Sequence, residues 1–424
     1  MKVLWFSNCK ITGKSKDIGC SWIGSLESEI SKISDIELGI TFNTKDPDST
    51  KFIIRNTTYF PVKIDPIKSN FRRFYTRIMH KMEDENLLEQ YSEIIDHFKP
   101  DVIHIFGTES DYGLIVSRTN VPCVIHIQGN LILNDIKWFI ALNPIDMLKY
   151  SKKWLLIKGH GLLHDYFVNK KAADREKKIF RECKNFMGRT DWDRRISSVL
   201  SPGSRYFHCD EIIRPAFYQN EWHPKTTDSD YVIVSTIRNN VYKGLETIME
   251  CKMILNQAFP EYNIVWKIAG LLEEYEIAYL VERKFKTKFK DNGIQLLGPV
   301  QENELVDLLL SADLYVHPSH MENSPNSVCE AMLLGMPVIT TVTGGTPNLL
   351  TDKKEGLLIQ DGDPYSLAGS ILELVRKREF GNELGANARV RAMKRHNPGR
   401  IVDDLLKIYS EILLKNEKLD KLAI

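Results

Sequence analysis

The stretch HPSHMENSPNSVCEA (residues 317–331) follows the apolar run LYV and predicts how the second half of the chain folds. Ser324 is a good N-cap and Pro325 a good first residue of a helix. Gly335 and Pro337 favour an end of that helix at about residue 334. The pattern therefore predicts a buried strand, a polar loop and a helix, which is the repeating unit of a parallel sheet.

The same strand, loop and helix pattern recurs along the whole chain. Short, almost wholly apolar runs alternate with amphipathic stretches, which is typical of parallel sheets covered by helices on both faces. The sequence therefore predicts an α/β protein with two doubly wound domains. The predicted strands are residues 2–7, 101–106, 123–128, 185–189, 231–237, 263–270, 294–298, 313–319 and 337–341, and the predicted helices include 23–33, 85–98, 244–258 and 302–312.

The length of 424 residues also indicates two domains, because a single core rarely grows beyond about 250–300 residues. We predict an N-terminal domain over residues 1–215 and a C-terminal domain over 225–395, joined by the Pro- and Asp-rich segment 214–230. Residues 396–424 are predicted to form a helix that packs back on the first domain. The segment near 131–182 interrupts the strand pattern, and is either a helical insertion over the first domain's binding face or additional core.

The composition bounds the partners and the compartment. A chain with 43% hydrophobic and 27% charged residues is globular, and its formal net charge of +1 gives no general attraction for nucleic acid. Seven dispersed cysteines predict reduced thiols. Without a signal peptide or an apolar run of about 18 residues, the expected location is cytoplasmic, or peripheral at the inner face of the membrane. The basic, aromatic run 68–81 leaves lipid contact open beside an ordinary solvated helix face.

Two motifs that bind phosphate or metal in other proteins are incomplete here. NCKITGKS (8–15) ends like a P-loop, but Asn8 stands where the first glycine is needed. Asp-x-Asp triplets begin at residues 191, 228 and 361, and each lies where a cap or turn uses Asp. The eleven histidines show no metal-ligand spacing, so we predict no metal site.

Two carboxylates flank the predicted helix start in the opening stretch. Glu322 lies in the polar loop, and Glu330 lies in the helix, where side chains lean toward the N-terminus. Free N–H groups and the positive end of the helix dipole favour a phosphate between them. The candidate binding residues of this stretch are Glu330, Asn323, Ser324, Asn326 and Ser327.

Two further strand ends supply complementary groups. Arg238 and Lys243 follow the strand 231–237, and two cations there suit a diphosphate. Gly344 and Gly345 follow the strand 337–341, where the backbone can approach a ligand closely. Because the carboxyl ends of parallel strands meet at one edge, we predict that these residues form a single nucleotide-sugar site.

With these residues the chain resembles the retaining glycosyltransferases of family 4, which have two Rossmann-like domains facing a central cleft (the GT-B fold). The resemblance rests on the pair Glu322 and Glu330, Arg238-x4-Lys243-Gly244, AMLLGMPVI, the Gly-Gly turn and EGLLIQDGDPYSLA (355–368). It implies that Arg238 and Lys243 bind the donor diphosphate, that Glu322 binds the transferred sugar and that Glu330 binds the ribose. It also implies a UDP- or GDP-sugar as donor substrate and neither a metal nor another cofactor.

The first domain matches the family less well. Gly19 in DIGCSWIGSLE (17–27) is the counterpart of a glycine-rich loop that the family carries after its first strand. The family's strand histidine falls on Gln128 in this chain. The other acceptor-side candidates are His104, Glu109 and Asn130, although strand histidines are more often core residues.

The resemblance implies transfer of a sugar to a hydroxyl acceptor with retention at the anomeric carbon, the departing phosphate taking the acceptor's proton. The expected acceptor is a glycan or lipid-linked intermediate of a surface polysaccharide, with no role for nucleic acid. The opposed strand ends predict a cleft that closes on substrate. A nucleotide-sugar epimerase, a non-catalytic nucleotide-sugar-binding protein and a P-loop NTPase remain alternatives.

Overall fold

The structure is a computed structural model that describes residues 1–8, 22–64, 85–151, 161–225 and 230–422, with side chains described through residue 414. It divides into two compact units. The first contains Met1–Ile132, Val168–Ile212 and His396–Ile424, and the second contains Leu133–Phe167 and Ile213–Arg395. The candidate Gly19, the run 68–81 and nearly all of the loop 8–15 lie outside the described residues.

The first unit is built on an eight-stranded sheet with the order β3-β4-β2-β1-β5-β6-β7-β8. Its neighbouring strands are parallel except β3, which pairs antiparallel with β4. The order reverses between β1 and β5, as the sequence pattern of a doubly wound domain requires. The strands are β1 (Lys2–Phe6), β2 (Glu37–Thr44), β3 (Phe52–Ile54), β4 (Thr57–Lys63), β5 (Val102–Phe106), β6 (Cys123–His126), β7 (Asn185–Gly188) and β8 (Arg205–His208).

The second unit is built on a six-stranded sheet with the order β11-β10-β9-β12-β13-β14, and all its pairs are parallel. The order reverses between β9 and β12. Open sheets of this kind bind ligands beyond the carboxyl ends of the strands at such a reversal. The strands are β9 (Tyr231–Thr236), β10 (Ile264–Ala269), β11 (Ile294–Gly298), β12 (Leu314–His317), β13 (Val338–Thr341) and β14 (Leu357–Ile359).

Helices connect and cover both sheets. No described helix is both long and apolar enough to cross a bilayer. The helices are α1 (Trp22–Ile30), α2 (Glu85–Phe98), α3 (Leu131–Lys137), α4 (Pro144–Tyr150), α5 (Leu162–Glu182), α6 (Asp191–Leu200), α7 (Pro215–Gln219), α8 (Leu245–Ala258), α9 (Glu276–Phe285), α10 (Glu302–Leu310), α11 (Asn326–Leu334), α12 (Pro364–Arg376), α13 (Arg378–Arg395) and α14 (Pro398–Leu422). Short 3-10 helices cover Asp111–Arg118, Val241–Lys243, Lys290–Asn292 and Thr346–Asn348.

The C-terminal helix α14 packs in the core of the first unit. Ile401 and Leu405 are buried in the same apolar cluster as Val3 of β1. The Trp5 indole N–H donates to the Tyr409 hydroxyl over 3.0 Å, which satisfies a polar group that the core would otherwise leave unpaired.

Residues 133–167 belong to the second unit, and the structure thereby differs from an insertion over the first domain. Trp138, Leu142 and Met147 are buried in the same core cluster as Trp266 of β10. These three buried residues therefore pack in the core of the second unit. At its far end the Leu162 amide donates to the Glu276 carboxylate over 2.8 Å.

The segment 214–230 is part of the second unit as far as it is described, rather than a linker. It contains the short helix α7, and Trp222 is buried. The Trp222 amide donates to the Leu334 carbonyl over 2.8 Å, and its indole N–H donates to the Ala312 carbonyl over 2.7 Å. The Pro- and Asp-rich composition of the segment did not indicate that Trp222 would be buried.

Candidate functional site

The loops that follow β9, β12 and β13 carry most of the predicted site residues. β12 lies between β9 and β13 in the second sheet, so their carboxyl ends are neighbours. Arg238 comes two residues after β9, Glu322 five residues after β12 and Gly344 three residues after β13. The site therefore forms where the strand order reverses.

Side chains of β13 and the following turn hold the loop that carries Glu322. The Thr340 hydroxyl donates to the His317 carbonyl, Thr341 to Ser319 and Thr343 to His320, over 3.2, 2.5 and 2.8 Å. The Gly345 amide donates to the Glu322 carbonyl over 3.1 Å. These bonds fix the main chain on both sides of the carboxylate.

The Glu322 carboxylate contacts the side chains of Lys243 and His317. Its Oε1 accepts from the Lys243 ammonium and lies 2.9 Å from His317 Nε2. Burial raises the pKa of Glu322, but the charges of Lys243 and His317 outweigh that effect and hold the pKa well below its usual range. Glu322 is therefore ionised at any physiological pH.

Glu330 is buried in α11 and is held by an arginine that the sequence did not indicate. Arg214 Nε and Nη2 lie 2.9 and 2.8 Å from Glu330 Oε1, and Arg214 Nη1 lies 3.6 Å from Glu302 Oε2. Burial raises the pKa of Glu330 to about 7, and the charge of Arg214 opposes the rise. This carboxyl group consequently titrates near neutral pH.

The Tyr315 hydroxyl links the surroundings of the two carboxylates. It is 2.7 Å from the Thr236 hydroxyl at the end of β9 and 3.4 Å from His317 Nδ1. Burial raises its pKa, and the charges of both Glu330 and Glu322 add to the increase. The charges of Glu322 and Glu330 thus both act on the buried Tyr315 side chain. The two predicted carboxylates therefore lie in one region of the second unit.

Arg238 is the exposed cation of this neighbourhood. After the larger effects of burial and Arg214, the charge of Arg238 also lowers the pKa of Glu330. Within the described part of the chain, no acidic group makes an ion pair with Arg238. Its guanidinium is therefore available to an anion from solution.

The start of α11 differs by one residue from the predicted start. Pro325 is the N-cap, with φ −68°, and Asn326 is the first helical residue. The φ of proline suits both positions, which is why the sequence alone does not separate them. Gly335 ends the helix with φ +86°, as predicted.

Several polar atoms around this helix start are buried without a hydrogen-bond partner among the described residues. They are Asn326 Oδ1, Ser319 Oγ and Thr346 Oγ1. Asn323 and Ser324 are buried, and Gly344 adopts φ +51°. Unsatisfied buried groups of this kind are rare in native proteins, and a polar ligand would pair them.

The Asp-x-Asp triplets serve as caps and ion-pair partners where they are described. Asp193 accepts from the Arg189 amide over 2.9 Å in the first turn of α6, and Asp363 caps α12 by accepting from the Ser366 amide over 2.9 Å. Asp361 is paired with Lys137 over 3.2 Å.

In the first unit, the candidate His104 lies in the core. It is fully buried in the middle of β5, its Nδ1 is 2.6 Å from the Tyr409 hydroxyl, and its ring stacks on Phe106. Burial lowers its pKa to about 3. The structure therefore contradicts an acceptor-side role for His104, because its fully buried ring is enclosed in the core by Tyr409, Phe106 and His126.

The candidates Glu109, Gln128 and Asn130 follow the carboxyl ends of β5 and β6. The residue Glu109 is exposed, but its carboxylate lies against Gly107 and Gly129. Burial of that carboxylate raises the pKa of Glu109, and backbone N–H groups oppose the rise. Gln128 accepts from the Trp22 indole over 3.2 Å, and Asn130 is buried. These three residues stay acceptor-side predictions.

Sequence reasoning missed His317 and Arg214. His317 stands at the end of β12 in the opening stretch, so its position after an apolar run was a usable signal. Arg214 lies 116 residues before Glu330, and no local pattern marks that pairing.

Most of the second unit matches a known protein family. Residues 219–391 match the family profile of the Glycosyl transferases group 1. The matched group 1 glycosyl transferase region contains α11, both carboxylates, Arg238, Lys243 and the Gly344-Gly345 turn.

Relatives with curated descriptions match mainly in this region. The capsular polysaccharide biosynthesis glycosyltransferase CapM of Staphylococcus aureus is 25% identical over 198 residues, 46% of this chain and 50% of CapM. The putative colanic acid biosynthesis glycosyltransferase WcaL of Salmonella typhimurium is 28% identical over 158 residues, 34% of this chain and 36% of WcaL. The chain therefore resembles bacterial surface-polysaccharide glycosyltransferases, although each match spans half or less of the relative's own length.

Solved structures match over almost the whole chain. Sucrose-phosphate synthase from Thermosynechococcus elongatus has a TM-score of 0.73 at 13% identity, covering 98% of this chain and 99% of its own. Anabaena HepE in complex with UDP-glucose has a TM-score of 0.64 at 14% identity, covering 97% and 100%. The predicted fold class, two Rossmann-like units of GT-B type, is confirmed.

Proposed function

We propose that this chain is a retaining glycosyltransferase that moves a sugar from a nucleotide diphosphate donor to a hydroxyl acceptor. The observation that carries the proposal is the combination of the exposed Arg238 guanidinium and the ionised Glu322, which lies in the loop before α11, whose N-cap Pro325 makes no side-chain cap hydrogen bond. Because HepE was solved with UDP-glucose, a UDP-sugar is the first donor to test, with GDP-sugars beside it.

In this proposal the donor diphosphate binds at the start of α11, where backbone N–H groups and the helix dipole attract it. Arg238 and Lys243 stabilise the charge that develops as the diphosphate leaves. Glu322 accepts hydrogen bonds from the hydroxyls of the transferred sugar, and Glu330 accepts them from the ribose. The protein's main contribution is electrostatic, because these groups are already in place before the reaction.

Retention is taken from the resemblance to the family 4 glycosyltransferases, and front-face attack accounts for it because this scheme assigns no enzyme nucleophile. The acceptor attacks from the face that the diphosphate leaves, and the departing phosphate oxygen takes the acceptor's proton. The bond from the anomeric carbon to the phosphate oxygen breaks, and the new glycosidic bond forms with retention. No metal ion takes part in these steps.

The acceptor side of the proposal is assigned to the first unit. Glu109, Gln128 and Asn130 follow the strand ends there. The names of the capsular and colanic acid relatives support a lipid-linked or surface polysaccharide intermediate as the acceptor. Peripheral contact with the membrane that holds such an intermediate belongs to the same proposal.

A donor panel followed by one substitution tests the proposal. UDP, UDP-glucose and other UDP- and GDP-sugars are screened by thermal shift, and the stabilising donor is then used in turnover assays with polysaccharide-intermediate acceptors. Arg238→Ala is expected to lower turnover about 100-fold to 1000-fold while the fold is retained. Arg283→Ala, an exposed arginine on α9, is the matched control and should retain full turnover.

Different outcomes separate the alternatives. Near-normal turnover of both Arg238→Ala and Lys243→Ala with a verified donor would contradict the assigned roles. Conversion of the sugar without any acceptor would favour an epimerase. Donor binding without any turnover across the acceptors would favour a non-catalytic nucleotide-sugar-binding protein.

A further inference from the structure

A lysine from the segment 133–167 reaches the loop that carries Glu322. Lys137 Nζ donates to the His320 carbonyl over 2.7 Å and lies 3.2 Å from Asp361 Oδ2. Lys137 stands 183 residues before His320 in the chain and ends α3. Both contacts lie within the second unit, and His320 is two residues before Glu322.

The same point of the loop is held from a second side. His320 is buried; its Nε2 is 2.5 Å from Glu246 Oε1 on α8, and its Nδ1 is 3.6 Å from Asp361 Oδ2. Burial lowers the pKa of His320, but Asp361 and Glu246 outweigh it and raise the pKa to about 9. Lys137 and His320 thus carry two positive charges against the two carboxylates of Glu246 and Asp361.

The segment that presents Lys137 is anchored independently of the loop. Trp138 and Leu142 are buried in the core of the second unit, and Lys284 Nζ donates to the Ala141 carbonyl over 3.0 Å. At the other end, Gly161 adopts φ +97°, and Leu162 is fixed by Glu276. Because these anchors do not involve Lys137, its ammonium is a prepositioned clamp on His320.

We propose that Lys137 is a positioning residue for the loop 318–324 and thereby sets the place of the Glu322 carboxylate. The inference rests on the proposed function for its consequence, because Glu322 is assigned there to the transferred sugar. Lys137 touches the loop main chain and Asp361, and it acts on the sugar through Glu322.

The position of the clamp predicts which part of the donor is affected. Of the groups assigned to the diphosphate, Arg238 and the start of α11 lie outside the loop 318–324, whereas Lys243 is paired with Glu322. Without Lys137 the loop loses one charge-assisted hydrogen bond to the His320 carbonyl and one ion pair. The affinity for a nucleotide sugar should therefore fall much more than the affinity for the nucleotide diphosphate alone.

The test compares Lys137→Met with Lys149→Met in the full chain. Lys149 is exposed on α4 of the same segment and serves as the matched control. Hydrogen exchange of the His320 and Gly345 amides, which donate to Tyr242 and Glu322, reports loop order without any ligand. Calorimetry with UDP and with UDP-glucose then reports the sugar-dependent part of donor affinity.

In Lys137→Met, exchange of these two amides should rise roughly tenfold, while peptides of α9 stay unchanged. The affinity for UDP-glucose should fall about tenfold, with UDP affinity within about twofold of the unsubstituted chain. Lys137→Arg keeps a cationic donor and should restore most of both values. Lys149→Met should resemble the unsubstituted chain throughout.

Unchanged exchange in Lys137→Met would overturn the inference. Faster exchange throughout the second unit, with equal losses for UDP and UDP-glucose, would also overturn it, because Lys137 would then serve general stability. If the unsubstituted chain binds neither probe, the proposed UDP-sugar function fails. The exchange comparison would still decide whether Lys137 holds the loop.

Discussion

Replacing Gly244 by alanine should disrupt the site through the backbone alone. Gly244 links the turn that carries Lys243 to the start of α8, and it adopts φ +73°. A Cβ atom at this position would lie closer than 3.0 Å to the carbonyl oxygen of Pro318, which begins the loop carrying Glu322. The substitution therefore adds both a strained backbone and a collision with a backbone atom.

The magnitude can be separated with a matched control. Gly293 adopts φ +72° in the same unit, but its nearest heavy atom would lie 3.4 Å from a new Cβ, an ordinary contact. Gly293→Ala should thus show the left-handed strain alone, about 1–2 kcal/mol. Overpacking against Pro318 adds about 1–3 kcal/mol, so Gly244→Ala should lose about 2–5 kcal/mol.

Urea unfolding of both variants measures the two losses of unfolding free energy. Calorimetry with the donor identified by the panel measures the effect on the site, and a displaced Pro318 should also weaken binding in Gly244→Ala. If Gly244→Ala loses no more stability than Gly293→Ala, the close approach to Pro318 is refuted. Equal donor affinity in the two variants would refute the link between this turn and the site.

Glu330 and Lys252 are buried groups whose ionisation should make the stability of the chain depend on pH. Burial raises the pKa of Glu330 to about 7. The folded chain therefore binds this proton more tightly than the unfolded chain does, and the stability gained from it is fully present below the ordinary glutamate pKa. That stability is lost as pH rises to about 7. Glu330→Gln should flatten that decline in thermal unfolding followed from about pH 4.5 to 7, and an unchanged slope would contradict this. Burial lowers the pKa of Lys252 to about 8, so the folded chain gains stability as pH rises from there toward the ordinary lysine value. Lys252→Met should be more stable by about 1–3 kcal/mol at pH 7 in urea unfolding, and a gain that persists at about pH 10.5 would count against this cause.

The strands that sequence reasoning recovered are those whose apolar residues form continuous runs. Strands β1, β5, β9 and β12 are buried on both faces, and their composition follows from that burial. β2 was missed because it mixes Gly39, threonine and asparagine into its apolar residues. At Gly39 a Cβ would lie 3.0 Å from side-chain atoms of Leu4 and Phe98, a tight contact that glycine avoids.

Other strands were missed for different physical reasons. β8 is a half-exposed edge strand with a charged and an aromatic residue side by side, and β14 has three residues. Neither length nor composition separates such strands from loops. Each of these strands is fixed by its pairing with a neighbouring strand, β8 with β7 and β14 with β13. A local sequence pattern holds no information about that neighbour.

The sequence was enough to predict those candidate-site residues that lie just after a strand. Arg238, Lys243, Glu322 and Gly344 each follow a parallel strand, and parallel strands share one carboxyl edge. The residues that support the site could not be predicted in this way. Arg214 lies 116 residues before its partner Glu330, and Lys137 lies 183 residues before its partner His320. His104 failed as a candidate for the same reason, since its partner Tyr409 lies on the distant helix α14.

The structure also separates two cations that the sequence treats as a pair. Lys243 already neutralises Glu322, and the ion pair is largely buried, whereas Arg238 is exposed and makes no ion pair within the described part of the chain. A donor that takes Lys243 away from Glu322 must offset the loss of that pair, because an unpaired buried carboxylate is costly. A donor that binds Arg238 meets no such competition. We therefore expect Arg238 to supply most of the attraction for the diphosphate, while Lys243 keeps Glu322 ionised and oriented and lends its remaining N–H donors to the phosphate.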